Sequence, residues 1–397
     1  MSIFNFIQIV FLVLLGLATL YILLFATAGL FYKQQVFAAT EKLLKIAVLI
    51  PGYREDEVIV EAAKSALQQK YPMSLFDVVI IADSFEEETL NTLRSYPVKV
   101  IEVHFDTSTK AKALNSAMAQ LSDQYDVAVV LDADNIMETD FLLKINAPLF
   151  QSCMAVQGHR TAKNTNNSWA VLDAVSEEIN NHIFRKGHRV LGLSSAIIGS
   201  GMAFNYNYFK SLMSTVTAVG GFDKEIELKM LKQGHKIMYL HNAVVYDEKV
   251  QKAEVFGNQR RRWLSAQFHY FRKDILSAIK HLATKGNVDY FDKAIQFIQP
   301  PRILLLGAVI IFGTLFITAN LLVGNQFLFT GLWLGIALAC IFSFLFSIPR
   351  SLYNAGTLKA LVSLPKGMLT MLISLLKIKG ANKKFIHTKH TATSQPH

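Results

Sequence analysis

The stretch Val127-Ala128-Val129-Val130-Leu131-Asp132-Ala133-Asp134-Asn135 decides how this chain is read. An unbroken run of β-branched and apolar residues bounded by polar ones is the pattern of a fully buried parallel strand. This one ends in two aspartates one residue apart. Two carboxylates cannot stay buried and unpaired at such a point without a large desolvation cost, so a cation or hydrogen-bond donors must meet them. Asp-x-Asp at a strand exit can hold a hard divalent cation, and Mg²⁺ is typically bound by one or two carboxylates plus substrate phosphates. Taken alone, the pair reads more readily as loop capping, since Asp-x-Asp occurs often by chance.

The residues upstream favour a site. Ile46 to Ile50 reads as a strand, and Val58, Ile59, Ala62, Ala63, Ala66 and Leu67 recur at helical spacing. Strands then fall over 77–82 and 98–103, helices over 86–93 and 110–121, and a further helix over 139–150 follows the opening strand. Four βα units in succession imply an α/β fold with a parallel, doubly wound sheet. In such sheets ligands bind outside the carboxyl ends of the strands. Tyr53, Arg54 and Glu55 follow the first strand, Asp83 the second, and Asp132 and Asp134 the fourth. A purely structural sheet has no need of acids at three strand exits.

Residues 151–275 are less regular. They contain Gly199-Ser200-Gly201, then Gly220-Gly221-Phe222-Asp223-Lys224-Glu225-Ile226-Glu227-Leu228 opening a helix that Gly234 ends, then Gln259-Arg260-Arg261-Arg262-Trp263. His159, His182, His188 and Cys153 show no ligand spacing and read as ordinary surface or core residues.

With 397 residues, the chain has room for one large domain plus additions. Its apolar residues, 52% of the total, are unevenly spread, which points to membrane spans rather than one large core. Met1 to Tyr32 and Ile303 to Pro349 carry no charged side chain. The first run suits one span of about 20 residues and the second suits two, turning at Gly324-Asn325-Gln326. Residues 264–300 mix aromatics with lysines, as a helix in the membrane interface does. Pro300-Pro301 breaks that stretch before the second span. Leu358 to Ile378 is apolar but interrupted by Lys359, Pro365 and Lys366, which favours an interfacial or re-entrant helix over a fourth span.

The expected organisation is a span in 1–32, a catalytic domain in 45–275, amphipathic interface helices in 276–301, two spans in 302–349, and an interfacial helix with a basic tail in 350–397. The net charge of +10 is concentrated beside the spans, and eight Lys or Arg with no Asp or Glu follow from Arg350 onward. The positive-inside rule then places residues 33–302 and the tail in the cytoplasm, at an inner or plasma membrane. For a basic tail next to spans, anionic lipid head groups are a better partner than nucleic acid. Two cysteines, Cys153 in the polar part and Cys340 inside an expected span, give no disulfide framework or zinc spacing.

The order of motifs resembles the membrane-bound family-2 glycosyltransferases. This is the inverting class with a GT-A nucleotide-sugar-binding fold that includes cellulose, chitin, hyaluronan and poly-N-acetylglucosamine synthases. The matching pieces are IPGYRE (50–55), the aspartate of IIADS (83), KAKALN (110–115), LDADN (131–135), GSGMAF (199–204), GGFDKEIEL (220–228) and QRRRW (259–263). The resemblance covers roughly 45–275 and implies a site. Pro51, Tyr53 and Glu55 would line the nucleotide pocket, with Tyr53 against the uracil and Asp83 accepting its N–H. Lys112 would approach the nucleotide, where a cationic donor suits phosphate, and Asn115 would help shape that turn. Asp132 would contact the nucleotide and Asp134 a Mg²⁺ or Mn²⁺ ion bridging the diphosphate. Gly201 would let backbone approach the acceptor. Gln259, Arg262 and Trp263 would clamp diphosphate and floor the acceptor sugar.

Glu225 would be the general base, matching an aspartate set three residues before a leucine in the family. Asp223-Lys224-Glu225 replaces the family's Thr-Glu-Asp, and Glu227 is the rival. The expected activity is transfer of a sugar from a UDP-sugar donor to a growing polysaccharide. A non-processive transferase using a lipid-linked acceptor and an inactive membrane scaffold are the alternatives. Three spans leave little material for a glycan channel, so export would need a partner subunit or homo-oligomer.

Overall fold

The computed structural model describes residues 3–38, 40–324 and 326–378. One eight-stranded sheet organises the polar part of the chain. Its strands are β1 (Ile46–Tyr53), β2 (Phe76–Asp83), β3 (Lys99–Val103), β4 (Val127–Val130), β5 (Ile136–Met137), β6 (Ala155–Ala162), β7 (Met202–Asn205) and β8 (Ile237–Asp247). They lie in the order β3-β2-β1-β4-β7-β6-β8-β5. The first four are mutually parallel, as the βα succession requires.

Beyond β4 the sheet departs from the all-parallel expectation. Strand β7 joins β4 antiparallel, β6 joins β7 antiparallel, β8 joins β6 in parallel, and β5 closes the edge antiparallel. The sheet is therefore mixed. Strand β7 has only four residues behind a double-glycine turn. Strand β6, Ala-Val-Gln-Gly-His-Arg-Thr-Ala, is polar because Arg160 lines a cleft and His159 and Thr161 bond Glu178 on the neighbouring helix Ser168–Asn181. Neither carries the apolar run by which a buried strand is recognised.

Successive side chains of the parallel strands point to opposite faces, and both faces are covered. Val48, Ile50, Val78, Ile80, Val127 and Val129 pack with Ile59, Ala63, Phe141 and Ile145 on one side. Ala47, Leu49, Val79, Ile81, Ala128 and Val130 pack with Leu114, Ala117, Phe209 and Ile226 on the other. With both faces used for packing, polar side chains are left to the strand exits.

Among the described residues, three helices are long and apolar enough to cross a membrane: Ile3–Gly29, Arg302–Val323 and Phe327–Ser347. A further apolar pair, Ala355–Leu361 and Leu364–Leu376, is bent by 53° at its break, the shape of a broken span or a re-entrant loop. The middle of the expected turn at 324–326 and the tail from residue 379 lie outside the described residues.

The expected interfacial stretch 264–300 is two helices folded on one another. Helix Ala253–Lys285 ends at Gly286 in the left-handed region (φ 62°), and Val288–Ile298 runs back along it. Tyr270, Tyr290 and Phe297 are buried there against Leu228 and Leu231, so these aromatics serve packing between helices.

Helix Ile3–Gly29 docks on the π-helical segment His182–Gly187 and the residue after it. The buried ring of His188 stacks on Phe25 with centroids 3.6 Å apart and planes 8° from parallel. Its Nδ1 lies 2.7 Å from the Ile183 carbonyl and its Nε2 3.1 Å from Asp292. A Cβ at Gly187 would sit 2.1 Å from the Phe25 carbonyl oxygen, so only glycine fits that crossing.

Candidate active site

A cleft of about 450 Å³ opens where the parallel strands end. Pro51, Tyr53 and Glu55 from the exit of β1, Asp83 from β2, and Asp132 and Asp134 after β4 all line it, together with Gln259, Arg262 and Trp263 from helix Ala253–Lys285. Residues more than 200 positions apart in the chain thus share one cavity.

Both strand exits beside the cleft hold an unusual backbone. Arg54 (φ 54°) and Ser84 (φ 60°) occupy the left-handed region, which non-glycine residues enter only at an energetic cost and most often at functional sites. The Arg54 amide donates to the Asp83 carbonyl (3.1 Å), and its guanidinium lies 5.3 Å from the centre of the Tyr53 ring. Asp83 is almost fully buried and accepts from the Ser84 hydroxyl at 3.0 Å.

The two aspartates after β4 have different surroundings. Asp132 is paired with Lys110 Nζ and lies 3.9 Å from the Arg160 guanidinium. Its amide donates to Ser200 Oγ at 2.9 Å. Asp134 is buried. In the amide orientation that satisfies both ends of Asn135, Nδ2 donates to Asp134 Oδ1 (3.2 Å) and to Asp247 Oδ1 (3.0 Å). Asp247, the last residue of β8, therefore brings a third carboxylate to the aspartate pair, a residue that sequence reasoning missed.

Four of the expected site residues do not line the cleft. Lys112 is exposed, donates to the Thr107 carbonyl (2.8 Å) and does not line the cleft; nor does Asn115. Helix Lys110–Gln120 starts after the Thr109 cap, whose hydroxyl accepts from the Lys112 amide. Two residues along a helix is over half a turn, so Lys110 faces the cleft where Lys112 faces away. Lys110 Nζ also donates to the Gly199 carbonyl at 2.8 Å.

Gly201 likewise sits behind the site, not in it. It holds φ 61° with Val245 against its α-carbon and accepts from the Gly158 amide at 2.8 Å, while Gly199 lines the cavity.

Glu225 is the fourth. It is buried behind the cleft, 2.7 Å from Lys229 Nζ and accepting from the Tyr270 hydroxyl at 3.3 Å. Asp223 and Glu227, one helical turn apart, face the cavity instead. Asp223 lies beside Gly199 and 3.5 Å from Lys224 Nζ. Glu227 is ion-paired to Lys293 at 2.7 Å, and burial pushes its carboxyl up against the pull of that lysine.

The other end of the cleft is a buried ionic network. Arg160 on β6 grips Glu177 with two hydrogen bonds (3.0 and 3.1 Å) and lies 3.5 Å from Asp247. Lys249, itself buried, reaches Glu177 (2.5 Å) and Asp247 (2.6 Å). Burial alone would raise the Glu177 carboxyl, but Arg160 and Lys249 outweigh it and hold the group well below its ordinary range. Arg260 pairs with Asp173 and stacks its guanidinium 4.5 Å from the Trp263 ring centre. Asp173 and Glu177 sit four apart on helix Ser168–Asn181, a same-face acid pair that could have been found by spacing.

Among the described residues no cluster of three or more His, Cys, Asp or Glu forms a closed metal site. An open arrangement of one or two carboxylates completed by substrate phosphates needs no such cluster.

The model of the family described as "Glycosyltransferase like family 2" matches residues 44–266. Among curated proteins, the probable glycosyltransferase YdaM of Bacillus subtilis (strain 168) is 23% identical over 233 residues, covering 56% of this chain and 55% of that protein. The N-acetylglucosaminyltransferase of Rhizobium meliloti (strain 1021) is 24% identical over 250 residues, covering 58% and 57%. The matches thus span little more than half the length of these relatives. A solved structure, mannosyltransferase PcManGT from Pyrobaculum calidifontis in complex with GDP-Man and Mn²⁺, superposes with a TM-score of 0.50 at 18% identity, over 85% of this chain and 98% of that one. That likeness shows the fold, a GT-A α/β domain accompanied by apolar helices.

Proposed function

Because the chain belongs to glycosyltransferase-like family 2, we propose that it transfers a sugar, with inversion, from a UDP-sugar to a growing polysaccharide at the inner membrane, its catalytic domain facing the cytoplasm. The observation that carries this reading is the single cleft that joins the strand-exit acids to the Gln259–Trp263 motif.

In this reading Tyr53 and Asp83 receive the base, and Lys110, Arg160 and Arg262 face the diphosphate. The oxygens around Asp134 suit a hard divalent ion: two carboxylates, Asp134 and Asp247, converge on one amide nitrogen. A Mg²⁺ or Mn²⁺ ion held there would neutralise the charge that develops on the departing nucleotide.

The acceptor hydroxyl must lose its proton as it attacks the anomeric carbon, and a carboxylate within hydrogen-bond reach does this. We assign that role to Asp223. It faces the cleft next to Gly199, whose carbonyl holds Lys110, whereas Glu227 is committed to Lys293. Trp263 offers the acceptor sugar a flat apolar wall.

The test is UDP release from a panel of UDP-sugars by the purified full chain in detergent, with and without divalent cation. Release that survives Asp134→Ala would remove the metal role, and no release from any UDP-sugar would favour a scaffold. Product length separates polymer synthesis from single addition to a lipid-linked acceptor. With three helices able to span, export of a polymer calls for a partner subunit or a homo-oligomer.

A further inference from the structure

Three side chains of the cleft wall are bound to one another in a line. Glu227 lies 2.7 Å from Lys293 Nζ, and Lys293 donates to Gln296 Oε1 at 2.7 Å. All three line the cavity. Behind Gln296 the line continues out of the cleft. Gln296 Nε2 donates to Asp292 Oδ2 (2.7 Å) and lies 2.9 Å from His188 Nε2. Asp292 Oδ1 in turn accepts from the Tyr21 hydroxyl at 2.7 Å, across 271 positions of sequence. Tyr21 belongs to the apolar helix Ile3–Gly29. A run of polar contacts thus joins the N-terminal helix to the cleft.

Each link sets the next. Burial alone would raise the Asp292 carboxyl, but His188, Tyr21 and Gln296 outweigh it and hold the group below its ordinary range. An ionised carboxylate only accepts. Asp292 therefore turns the amide nitrogen of Gln296 toward itself, and the amide oxygen faces Lys293. The Tyr21 hydroxyl fixes the rotation of that carboxylate, and His188, stacked on Phe25, closes its other side.

The hold matters because two carboxylates face the same stretch of cleft. Asp223 and Glu227 are one helical turn apart. Burial raises the Glu227 carboxyl and the charge of Asp223 adds to that, so the two acids sense one another. An ammonium moved from Glu227 to Asp223 would occupy the oxygens that the acceptor proton needs.

We propose that Tyr21 and Gln296 are positioning residues: through Asp292 they hold the Lys293 ammonium on Glu227 and so keep it away from Asp223. This rests on reading the cleft as a site of glycosyl transfer with Asp223 as the base.

Two readouts test it on the full chain in phosphatidylcholine nanodiscs. The first is the rate at which formaldehyde and cyanoborohydride methylate Lys293, followed by mass spectrometry of its peptide, with the equally buried Lys249 as internal standard. Tyr21→Phe is expected to speed methylation of Lys293 about tenfold, the change typical of one lost hydrogen bond to a charged group, and to leave Lys249 unchanged. The second is UDP release from the panel of UDP-sugars. The same variant should lower turnover about tenfold while UDP affinity and the KM for the UDP-sugar stay as they are. Tyr32→Phe, which removes a hydroxyl bonded to the Tyr239 carbonyl (3.0 Å), should change neither readout. On a Gln296→Met background, Tyr21→Phe should cost no further turnover, because the link is already cut. Asp292→Asn closes the same cycle should Gln296→Met not fold.

Unchanged labelling of Lys293 in Tyr21→Phe overturns the proposal. So does faster labelling of Lys249 alongside it, which marks a general loosening, or a Tyr21→Phe loss that persists in full on the second background. Faster Lys293 labelling with unaltered turnover overturns it too, since the hold would then have no bearing on the step. A wild-type chain that releases no UDP sinks the transferase reading, and the labelling alone then upholds or overturns the hold on Lys293.

Discussion

The two ends of the cleft hold their charges in opposite ways. At the strand exits, two acids are steadied by their immediate neighbours in sequence, Asp83 by Ser84 and Asp134 by Asn135, while Asp132 between them is paired with Lys110. At the end lined by helix Ser168–Asn181, charges hold one another across the fold: Arg160 and Glu177 are 17 residues apart, Lys249 and Glu177 are 72, and Arg260 and Asp173 are 87. A locally supported acid can lose its charge while its surroundings stay in place. A charge supported only by another buried charge leaves that partner stranded when it is removed. Substitutions at the first end should therefore strike chemistry and binding, and those at the second should strike the fold.

The largest effect is expected at the first end. Asp223→Asn should lower turnover by about 10²–10⁴-fold, the usual contribution of a positioned general base, with UDP affinity kept. Steady-state UDP release and UDP binding measured side by side would separate the two.

Next in size is Glu177→Gln, which leaves Arg160 and Lys249 buried with half their counter-charge gone. Breaking a buried pair this way costs about 3–5 kcal/mol, read as a lowered denaturation midpoint in detergent. Asp83→Asn should melt close to wild type, and equal losses from the two would erase the contrast. Acid should act in the same sense. The Glu177 carboxyl is depressed below its ordinary 4.5 in the folded chain, so its contribution is complete above that value. The contribution falls away as pH drops from 4.5 toward the folded-state value, and Glu177→Gln should unfold with a shallower acid dependence.

A smaller effect separates two lysines. Lys110→Ala should weaken UDP binding about tenfold, as loss of a charged hydrogen bond does, while Lys112→Ala should bind UDP like wild type in the same titration. Smallest of all, Glu225→Gln should keep most of its turnover, since that carboxylate faces Tyr270 and Lys229 behind the cleft. A Glu225→Gln variant as slow as Asp223→Asn would return the base to Glu225.

What the sequence made legible follows the same division. The parallel strands β1, β2 and β4 announce themselves because each is an apolar run followed by polar residues, and six of the expected site residues at their exits do line the cleft. Gln259, Arg262 and Trp263 line it as well, because a motif on one helix carries its geometry with it. Glu225 and Lys112 lie off the cleft for one reason: on a helix, a shift of two residues turns a side chain to the opposite face. Spacing to a conserved-looking leucine or asparagine does not settle which face is which. Asp247, Arg160 and Lys249 were illegible because nothing local marks them. Apart from the Lys249–Asp247 pair, their partners arrive from other strands and helices, and the mixed half of the sheet that gathers them was itself hidden by the polar composition of β6 and the brevity of β7.

The crossing of Gly187 with Phe25 bears on how such a domain reaches its acceptor. A domain hung from a flexible linker sweeps through a volume and meets substrates at many heights above the bilayer. Here the carbonyl of Phe25 fills the place a side chain at position 187 would take, and Arg185 lies two residues away on the same segment. The N-terminal helix is thus a strut rather than a leash. For a chain seated in a bilayer through that helix, the cleft stands at one fixed altitude, and the distance from membrane to reacting carbon becomes a gauge against which the length of an acceptor is measured.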